Sequence, residues 1–135
     1  MPYEVRYSDE ANKGVILVED NLINTETSMQ LPGKRATGYG KAVAENFLHL
    51  LENFASPNEP TTPVEGQLWY DTVNKKLKLY NGTKFKQLTL TDFSSKQPTD
   101  LNNGEFWWDS TNLKLYLKNN NSFVLIGPGV VSQAG

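Results

Sequence analysis

The sequence reads GQLWYDTVNKKLKLYNGTKF over residues 66–85 and GEFWWDSTNLKLYLKNNNSF over residues 104–123, so nearly the same stretch occurs twice. Alignment of Gly66 with Gly104 sets an offset of 38 residues (104 − 66). With that offset, 11 of the 29 positions in 60–88 are identical in 98–126. We interpret the two stretches as a duplicated supersecondary unit.

Each copy has the pattern of three short strands joined by tight turns. The first strand ends at Asp71, whose carboxylate can accept backbone hydrogen bonds in an Asx-turn, and Asn74 tolerates the left-handed conformation that such a turn often needs. Asp109 and Asn112 are the equivalent turn-forming pair. The returning strand is KLKLY, and the Asn-Gly pair after it is a strong hairpin signal. Each unit is therefore predicted to be a three-stranded antiparallel β-meander.

The tryptophans of the two copies need cover. Strand alternation places Trp69 on the face opposite Leu68 and Tyr70. An aromatic side chain buries about 150–250 Å², which a small sheet cannot leave in water without a large loss. We therefore expect Trp69 and Trp107 to pack against the proline-rich linker, the other repeat or another chain. Together with Trp108 they are candidate partner-interface residues.

The segment before the repeats contains one clear helix, KAVAENFLHLLENFA, over residues 41–55. Its apolar residues recur at spacings of three and four, and the wide stripe must be covered by a sheet or by a neighbouring copy of the same helix. The candidate packing seam consists of Phe47, Leu48, Leu51 and Phe54. The opposite, polar face, which includes Asn46 and His49, is expected to lie in solvent.

The rest of the N-terminal part reads as strands and loop. Residues 3–8 and 13–18 are predicted to pair as a β-hairpin, since one alternates and the other is a β-branched run. Residues 20–40 are rich in turn formers and are predicted to be mostly loop, with a short strand around 28–31. The stretch SPNEPTTPVEG reads as an extended, semi-rigid connector.

Composition restricts the class of function. The chain has 135 residues, a formal net charge of −2 and no cysteine. This balance argues against a broad nucleic-acid-binding face, which needs an excess of lysine and arginine. Without cysteine there is no disulfide framework and no thiolate metal site. No stretch approaches the run of about 20 apolar residues that spans a bilayer, and the first residues lack the apolar region of a secretory signal.

Catalytic and cofactor motifs are not found. The segment PGKRATGYGK resembles a phosphate-binding loop but fails on spacing, because Tyr39 stands where lysine is required and Ala42 where serine or threonine would bind Mg²⁺. His49 is the one histidine of the sequence, so no metal site or Ser-His-Asp set can be assembled. The repetition of Asp71 and Asp109 favours turn roles. We predict no enzymatic activity, no cofactor and no metal.

One alternative function remains open at this point. Aromatic side chains stack on sugar rings, and the repeats bring together Trp69, Tyr70, Trp107, Trp108 and Tyr116. A glycan-binding module is therefore the rival interpretation. Core or interface packing is preferred, because the repeated tryptophan lies within a strand and not on a loop.

Residues 15–126 resemble a segment found near the N-termini of virion structural proteins of contractile-tailed bacteriophages, which include tail-fibre and baseplate-associated proteins. The most specific parts are GYG and AENFLHLLENFA around the helix and the box EGQLWYD; the strands around GQLWYDT and YNGTKF are similar to small β-repeats strung along such fibre proteins. The second copy departs from this pattern, with FWWD in place of LWYD and NNN in place of the NGT turn.

The resemblance implies a non-enzymatic virion component. It implies a homo-oligomer, with a trimer favoured by analogy with fibres, and contacts with other virion proteins in a tail fibre, baseplate, neck or head fibre. Such a chain would be made in the host cytoplasm and located in the virion, and a host glycan is a possible ligand. The predicted fold is α+β: a hairpin-loop-helix module for attachment and oligomerisation over 1–58, β-repeats over 59–97 and 98–127, and a flexible tail over 128–135.

Overall fold

The computed structural model describes residues 1–129. Of the tail predicted over 128–135, residues 130–135 lie outside this described part. The described chain forms two helices, α1 (Glu10–Lys13) and α2 (Tyr39–Leu51), and eleven strands. The strands are β1 (Tyr3–Arg6), β2 (Val15–Val18), β3 (Ile23–Asn24), β4 (Leu31–Pro32), β5 (Leu68–Asp71), β6 (Lys76–Tyr80), β7 (Phe85–Gln87), β8 (Thr91–Ser94), β9 (Phe106–Asp109), β10 (Lys114–Asn119) and β11 (Ser122–Gly127).

These elements belong to two compact units, Met1–Gln87 and Leu88–Gly135. The first unit contains both helices and the strands of the first repeat, and the second contains β8 to β11. Strands dominate the described residues, and most neighbouring strands are antiparallel, as expected for an α+β chain built mainly of β-sheet. The module boundaries predicted at 58/59 and 97/98 stay predictions, whereas the division between units falls after Gln87.

The N-terminal strands β1 and β2 pair antiparallel, with Tyr3 opposite Val18. Alternation along β2 buries Ile16 and Val18 and exposes Val15 and Leu17, because successive side chains point to opposite faces of a strand. The connection between these two strands contains the single-turn helix α1. Ile16 and Val18 form a small apolar core for this part of the first unit.

The predicted loop over 20–40 is held by a short ladder between β3 and β4. The predicted strand around 28–31 overlaps β4 only at Leu31. After β4 the chain passes so close to Glu19 that a Cβ on Gly33 would lie 1.7 Å from the Glu19 carbonyl oxygen. Only glycine fits there, and its amide donates to the Leu22 carbonyl oxygen at 2.7 Å.

The first repeat forms a three-stranded antiparallel sheet in the order β5-β6-β7. Leu68 lies opposite Leu79 and Trp69 lies opposite Lys78, so the leucines and the tryptophan are on different faces. This is the alternation that the sequence predicts. A parallel bridge joins Ser56 to Asp71 at the outer side of β5.

The second repeat has one strand more than a three-stranded meander. Its sheet has the order β11-β10-β9-β8, and β8 runs parallel to β9, with Ser94 opposite Asp109. A parallel neighbour needs a crossover connection, which the segment between β8 and β9 provides. The Ser56–Asp71 bridge is the same pairing in the first repeat, since 56 + 38 = 94 and 71 + 38 = 109. Each structural repeat therefore begins before the aligned stretch from which it was recognised.

Candidate interaction surface

Helix α2 turns its polar side inward. Asn46 is buried, and its side-chain Nδ2 donates to the Gln30 carbonyl oxygen at 2.6 Å while its Oδ1 accepts from the Gln30 amide at 2.9 Å. The Gln30 side chain also donates to Glu45 at 2.9 Å. The amide of Asn46 thus satisfies the backbone next to β4 as a neighbouring strand would. The prediction that this polar face lies in solvent is wrong at Asn46, and His49 is half-buried.

The apolar side of α2 faces outward. Phe47 is 67% exposed, Leu48 60% and Leu51 79%. The buried residues Ala42 and Asn46 lie on the opposite side of the helix, as 3.6 residues per turn require. Full burial of one large apolar side chain contributes about 1.5–3 kcal/mol of stabilising free energy. This side of α2 forgoes that free energy unless something covers it.

Phe54 does not share this exposed side. The helix ends at Leu51, and Asn53 and Phe54 both adopt positive φ angles, 54° and 55°. The chain therefore leaves the helical path, and Phe54 becomes half-buried and stacks on His49 with ring centroids 5.9 Å apart. The predicted seam of four residues is corrected to Phe47, Leu48 and Leu51, because the left-handed residues carry Phe54 to the inward side.

A shallow cleft beside Phe54 brings together a serine, a histidine and a glutamate. Ser28, His49 and Glu52 all line it, and His49 Nδ1 lies 3.7 Å from Glu52. The Ser28 hydroxyl donates to the Thr61 carbonyl oxygen at 2.6 Å, so its proton is held by a backbone acceptor and not by the imidazole. This arrangement is not that of an activated nucleophile. Among residues 1–129 there is also no group of three acidic, histidine or cysteine side chains that could hold a metal.

The two repeated tryptophans are buried within their own units. Trp69 is 4% exposed and Trp107 6%. Each indole N–H donates to the carbonyl oxygen of the serine 13 residues upstream, Ser56 or Ser94, at 3.2 Å in both cases. Phe85 covers Trp69 edge-on. Both tryptophans were predicted to be covered by the linker, the other repeat or a partner; the third strand of their own repeat provides that cover, so they present little surface to another chain.

The two repeats carry the same pair of residue types in exchanged positions, one against the buried tryptophan and one against the phenylalanine that covers it. In the first repeat Lys78 lies over Trp69, with its Nζ 4.9 Å from the ring centroid. In the second repeat the equivalent residue is Tyr116, which stacks on Trp107 at 5.1 Å. The next inward-facing position exchanges in the opposite sense, tyrosine in the first repeat and Lys118 in the second. A cation and a ring are both suitable neighbours for an indole face, so the packing survives the exchange.

The aspartates form Asx-turns, which is the role predicted for them. Asp71 Oδ1 accepts from the backbone amides of Val73 and Asn74 at 3.0 and 3.2 Å, and Asp109 makes the equivalent bonds. The side-chain amide of Asn74 donates to the other carboxylate oxygen, Asp71 Oδ2, at 2.8 Å. Lys78 Nζ also donates to Oδ2, at 2.9 Å. These donors hold the pKa of the Asp71 carboxyl well below its usual range, the Asn74 amide contributing most.

In the second repeat the corresponding turn lacks the ion pair. The Asn112 side-chain amide donates to Asp109 at 2.8 Å and is the main cause of the lowered pKa of that carboxyl. Both carboxylates are buried and fully engaged by donors of their own turn, so neither is available as an acid or base for a substrate.

Trp108 is the one of the three predicted interface tryptophans that remains accessible. It is half-buried on β9 and lies opposite Phe93 of β8, which is 75% exposed. The two rings are therefore neighbours on one face of the second sheet. Of the predicted interface residues, Trp108 belongs to this aromatic patch, and Phe47, Leu48 and Leu51 belong to the exposed side of α2.

Sequence reasoning missed three kinds of residue at these sites. Asn46 was assigned to solvent. Ser56 and Ser94 were not recognised as acceptors for the indoles, although their offset of 38 residues was a detectable signal. Gln67 and Glu105 were also missed. Their side chains accept from backbone amides three residues upstream, at 3.0 and 3.2 Å, and stabilise the loops that precede β5 and β9.

No helix within residues 1–129 has both the length and the apolar character that crossing a membrane requires. Comparison with protein-family models, with curated proteins and with solved structures finds no match to this chain.

Proposed function

We propose that this chain is a non-enzymatic structural component of a bacteriophage particle, which forms or attaches a tail-fibre or baseplate appendage through contacts between protein chains. A neck or head fibre is the alternative location. The resemblance of the helix and of the repeats to virion proteins suggests the particle. The exposed apolar side of α2 is the single observation on which the structural role rests.

The exposure of Phe47, Leu48 and Leu51 supports a role in assembly, because the first unit leaves these apolar side chains uncovered. Asn46 holds the opposite side of the helix inward through two hydrogen bonds, so the apolar side points away from the first unit by construction. An exposed apolar patch rimmed by polar residues is typical of a protein–protein contact. We propose a homo-oligomer and contacts with other virion proteins; a trimer is the form that analogy with fibres suggests.

The accompanying parts of the proposal concern chemistry and location. Two observations support a role without catalysis or cofactor. The carboxylates of Asp71 and Asp109 are buried and accept hydrogen bonds from their own turns, and the hydroxyl of Ser28 donates to a backbone carbonyl oxygen. The chain would be made in the host cytoplasm and become part of the virion, with neither nucleic acid nor membrane as its partner. The duplicated β-unit would serve as a spacer that extends the appendage.

The first test replaces Phe47 and Leu51 together by aspartate. We expect the oligomer of the purified protein to dissociate, because two charges would have to be buried in an apolar contact. Light scattering coupled to size-exclusion chromatography measures the mass, and circular dichroism checks that the fold is kept. The matched control replaces Leu22 and Val73, which are 61% and 66% exposed and lie outside α2, by aspartate. An assembled Phe47/Leu51 variant of unchanged mass would exclude this side of the helix as the contact.

Glycan binding is retained as a second candidate because of the patch formed by Phe93 and Trp108. Adjacent accessible rings can stack on a sugar, whereas the buried Trp69 and Trp107 cannot. The expected result on a glycan array is no selective binding. Selective binding that disappears in both Phe93→Ala and Trp108→Ala, with the oligomer intact, would establish host-receptor recognition in place of a purely structural role.

A further inference from the structure

The exposed side of α2 carries a stripe whose residues change in size along the helix. Gly40, Ala44, Phe47 and Leu51 follow one another at spacings of four, three and four residues, the spacing of a coiled-coil seam. All four are exposed. The two small residues lie in the N-terminal half of the helix and the two large ones in the C-terminal half.

Gly40 has no explanation within its own chain. A Cβ added to it would meet no atom within 4 Å, and its φ is not in the positive range, in contrast to Gly38, whose φ is 80°. Glycine in the interior of a helix costs about 1 kcal/mol relative to alanine, and Gly40, as the second residue of α2, bears part of that cost. A glycine that neither a turn nor a close intrachain contact requires is consistent with a close approach by another molecule.

We propose that α2 docks against α2 of a second copy of this chain, antiparallel and about a two-fold axis. In this arrangement Leu51 of each copy fits over Gly40 of the other, and Phe47 over Ala44. Both pairs share one register, since 40 + 51 and 44 + 47 both equal 91. The inference rests on the proposed function, in which this side of the helix is a contact between chains. It specifies the partner and its direction, and at this contact it replaces the trimer that analogy with fibres suggests by a two-fold pair.

The size gradient distinguishes antiparallel from parallel packing. In a parallel pair or a parallel trimer, Phe47 would meet Phe47 and Gly40 would meet Gly40, which crowds one end of the seam and leaves a hollow at the other. Protein interfaces are packed at densities close to those of protein cores, so a hollow of this kind is unfavourable. Antiparallel packing places a large side chain beside a small one at every level.

The charges at the edge of the stripe agree with the same direction. Lys41 and Glu52 lie along the same flank, one near each end of the helix, and their side chains are 80% and 49% exposed. In an antiparallel pair equal flanks face each other, so Lys41 of each copy meets Glu52 of the other. A parallel alignment in register would instead place like residues at the same level.

The available area sets the size class of the contact. The exposed parts of Phe47, Leu48 and Leu51 amount to roughly 350 Å² of apolar surface per chain, given about 150–250 Å² for an aromatic side chain. With the helix backbone and the flanking stems, two copies bury on the order of 1,000 Å² in total, the lower end of specific interfaces. The pair is therefore expected to dissociate on dilution.

The first experiment replaces Gly40 by leucine and measures mass against concentration by light scattering. We expect the melting temperature of the monomer to stay equal or rise, because leucine is the better helix former, while self-association weakens at least tenfold because the site for Leu51 is filled. The double variant Gly40→Leu with Leu51→Ala exchanges large and small and is expected to recover association. Unchanged association in Gly40→Leu would overturn the proposal.

The second experiment uses the absence of native cysteine. Gly40→Cys and Leu51→Cys proteins are purified separately, mixed and oxidised. We expect crosslinks between the two variants and none within either alone, because two copies of one position lie about 16 Å apart along the axis (11 residues at about 1.5 Å). A disulfide needs Cα atoms about 4.4–6.8 Å apart.

The outcomes separate the two proposals. Crosslinks within Gly40→Cys alone, or a trimeric mass, would overturn the antiparallel pair and leave the proposed contact side intact, provided that Phe47→Asp with Leu51→Asp still dissociates the oligomer. A wild-type chain that is monomeric at all concentrations would overturn the second copy as occupant. A stable oligomer that the aspartate pair does not affect would overturn both proposals.

Discussion

At the scale of single residues, the two copies of the Asx-turn differ in one ion pair, which only the first copy has among the described residues. Asp71 and Asp109 accept the same set of bonds from their own turns, but the residue two strand positions from the turn is Lys78 in the first repeat and Tyr116 in the second. The side chain of Asp71 is 4% exposed and carries its charge beside an ammonium group that is 21% exposed. Hydrogen bonds to charged groups contribute more than neutral ones, so the first turn depends more strongly on its ionisation.

This difference predicts the pH dependence of stability. Because the folded pKa of Asp71 lies below its usual value of 3.8, the carboxylate stabilises the first unit above that pH. The stabilisation is lost as the pH falls from 3.8 towards the folded value. We expect Asp71→Asn to cost about 2 kcal/mol at pH 7 and the deficit to shrink below pH 3.8. Urea unfolding between pH 2 and pH 7, followed by tryptophan fluorescence, measures both quantities.

Asp109→Asn is the matched control for this prediction. It removes the same carboxylate from a turn that has no lysine at the position of Lys78. We expect its deficit at neutral pH to be the smaller of the two. Equal deficits at every pH would mean that the ion pair with Lys78 contributes nothing and that the turn bonds alone set the stability.

At the scale of elements, sequence periodicity found helix α2 and left open whether a sheet or a neighbouring copy covers its apolar side; its error was to place the polar side in solvent. The spacing of apolar residues identifies a helix, yet the usual inference that the apolar side faces the core fails here. Asn46 was read as polar and hence exposed, whereas its amide replaces a β-strand as partner of the Gln30 backbone. That exchange depends on a residue 16 positions away, so no local pattern reveals it.

The strands were easier to anticipate because the chain provides two versions of them. Identity at 11 aligned positions indicates which features the unit needs, and both tryptophans and both Asx-turns lie where alternation and turn chemistry predict. The parallel strand β8 was missed, because its partner is reached through a crossover and the first repeat retains only the Ser56–Asp71 bridge. Local signals therefore predicted that the chain is built mainly of antiparallel β-sheet, and the non-local pairing became visible only in three dimensions.

At the scale of the whole molecule, each of the two units buries one indole in the same way. Each unit has its own tryptophan, its own serine acceptor and its own Asx-turn. Few of the large apolar side chains among the described residues are fully buried. The small cores of the units and the uncovered side of α2 are consistent with a chain that gains further stability from assembly. A unit that carries its own core should also respond on its own to a local perturbation.

This independence is testable with the duplicated turn. Asp71→Ala and Asp109→Ala remove equivalent carboxylates from the two units, and hydrogen exchange followed by mass spectrometry reports the opening of each strand. We expect Asp71→Ala to accelerate exchange in β5, β6 and β7 and to leave β8 to β11 unchanged, and Asp109→Ala to do the reverse. The reason is that each turn closes hydrogen bonds that belong to one sheet alone. Acceleration of both sheets by either substitution would show that the units open together, and a spacer built from separable repeats would then be the wrong description of this chain.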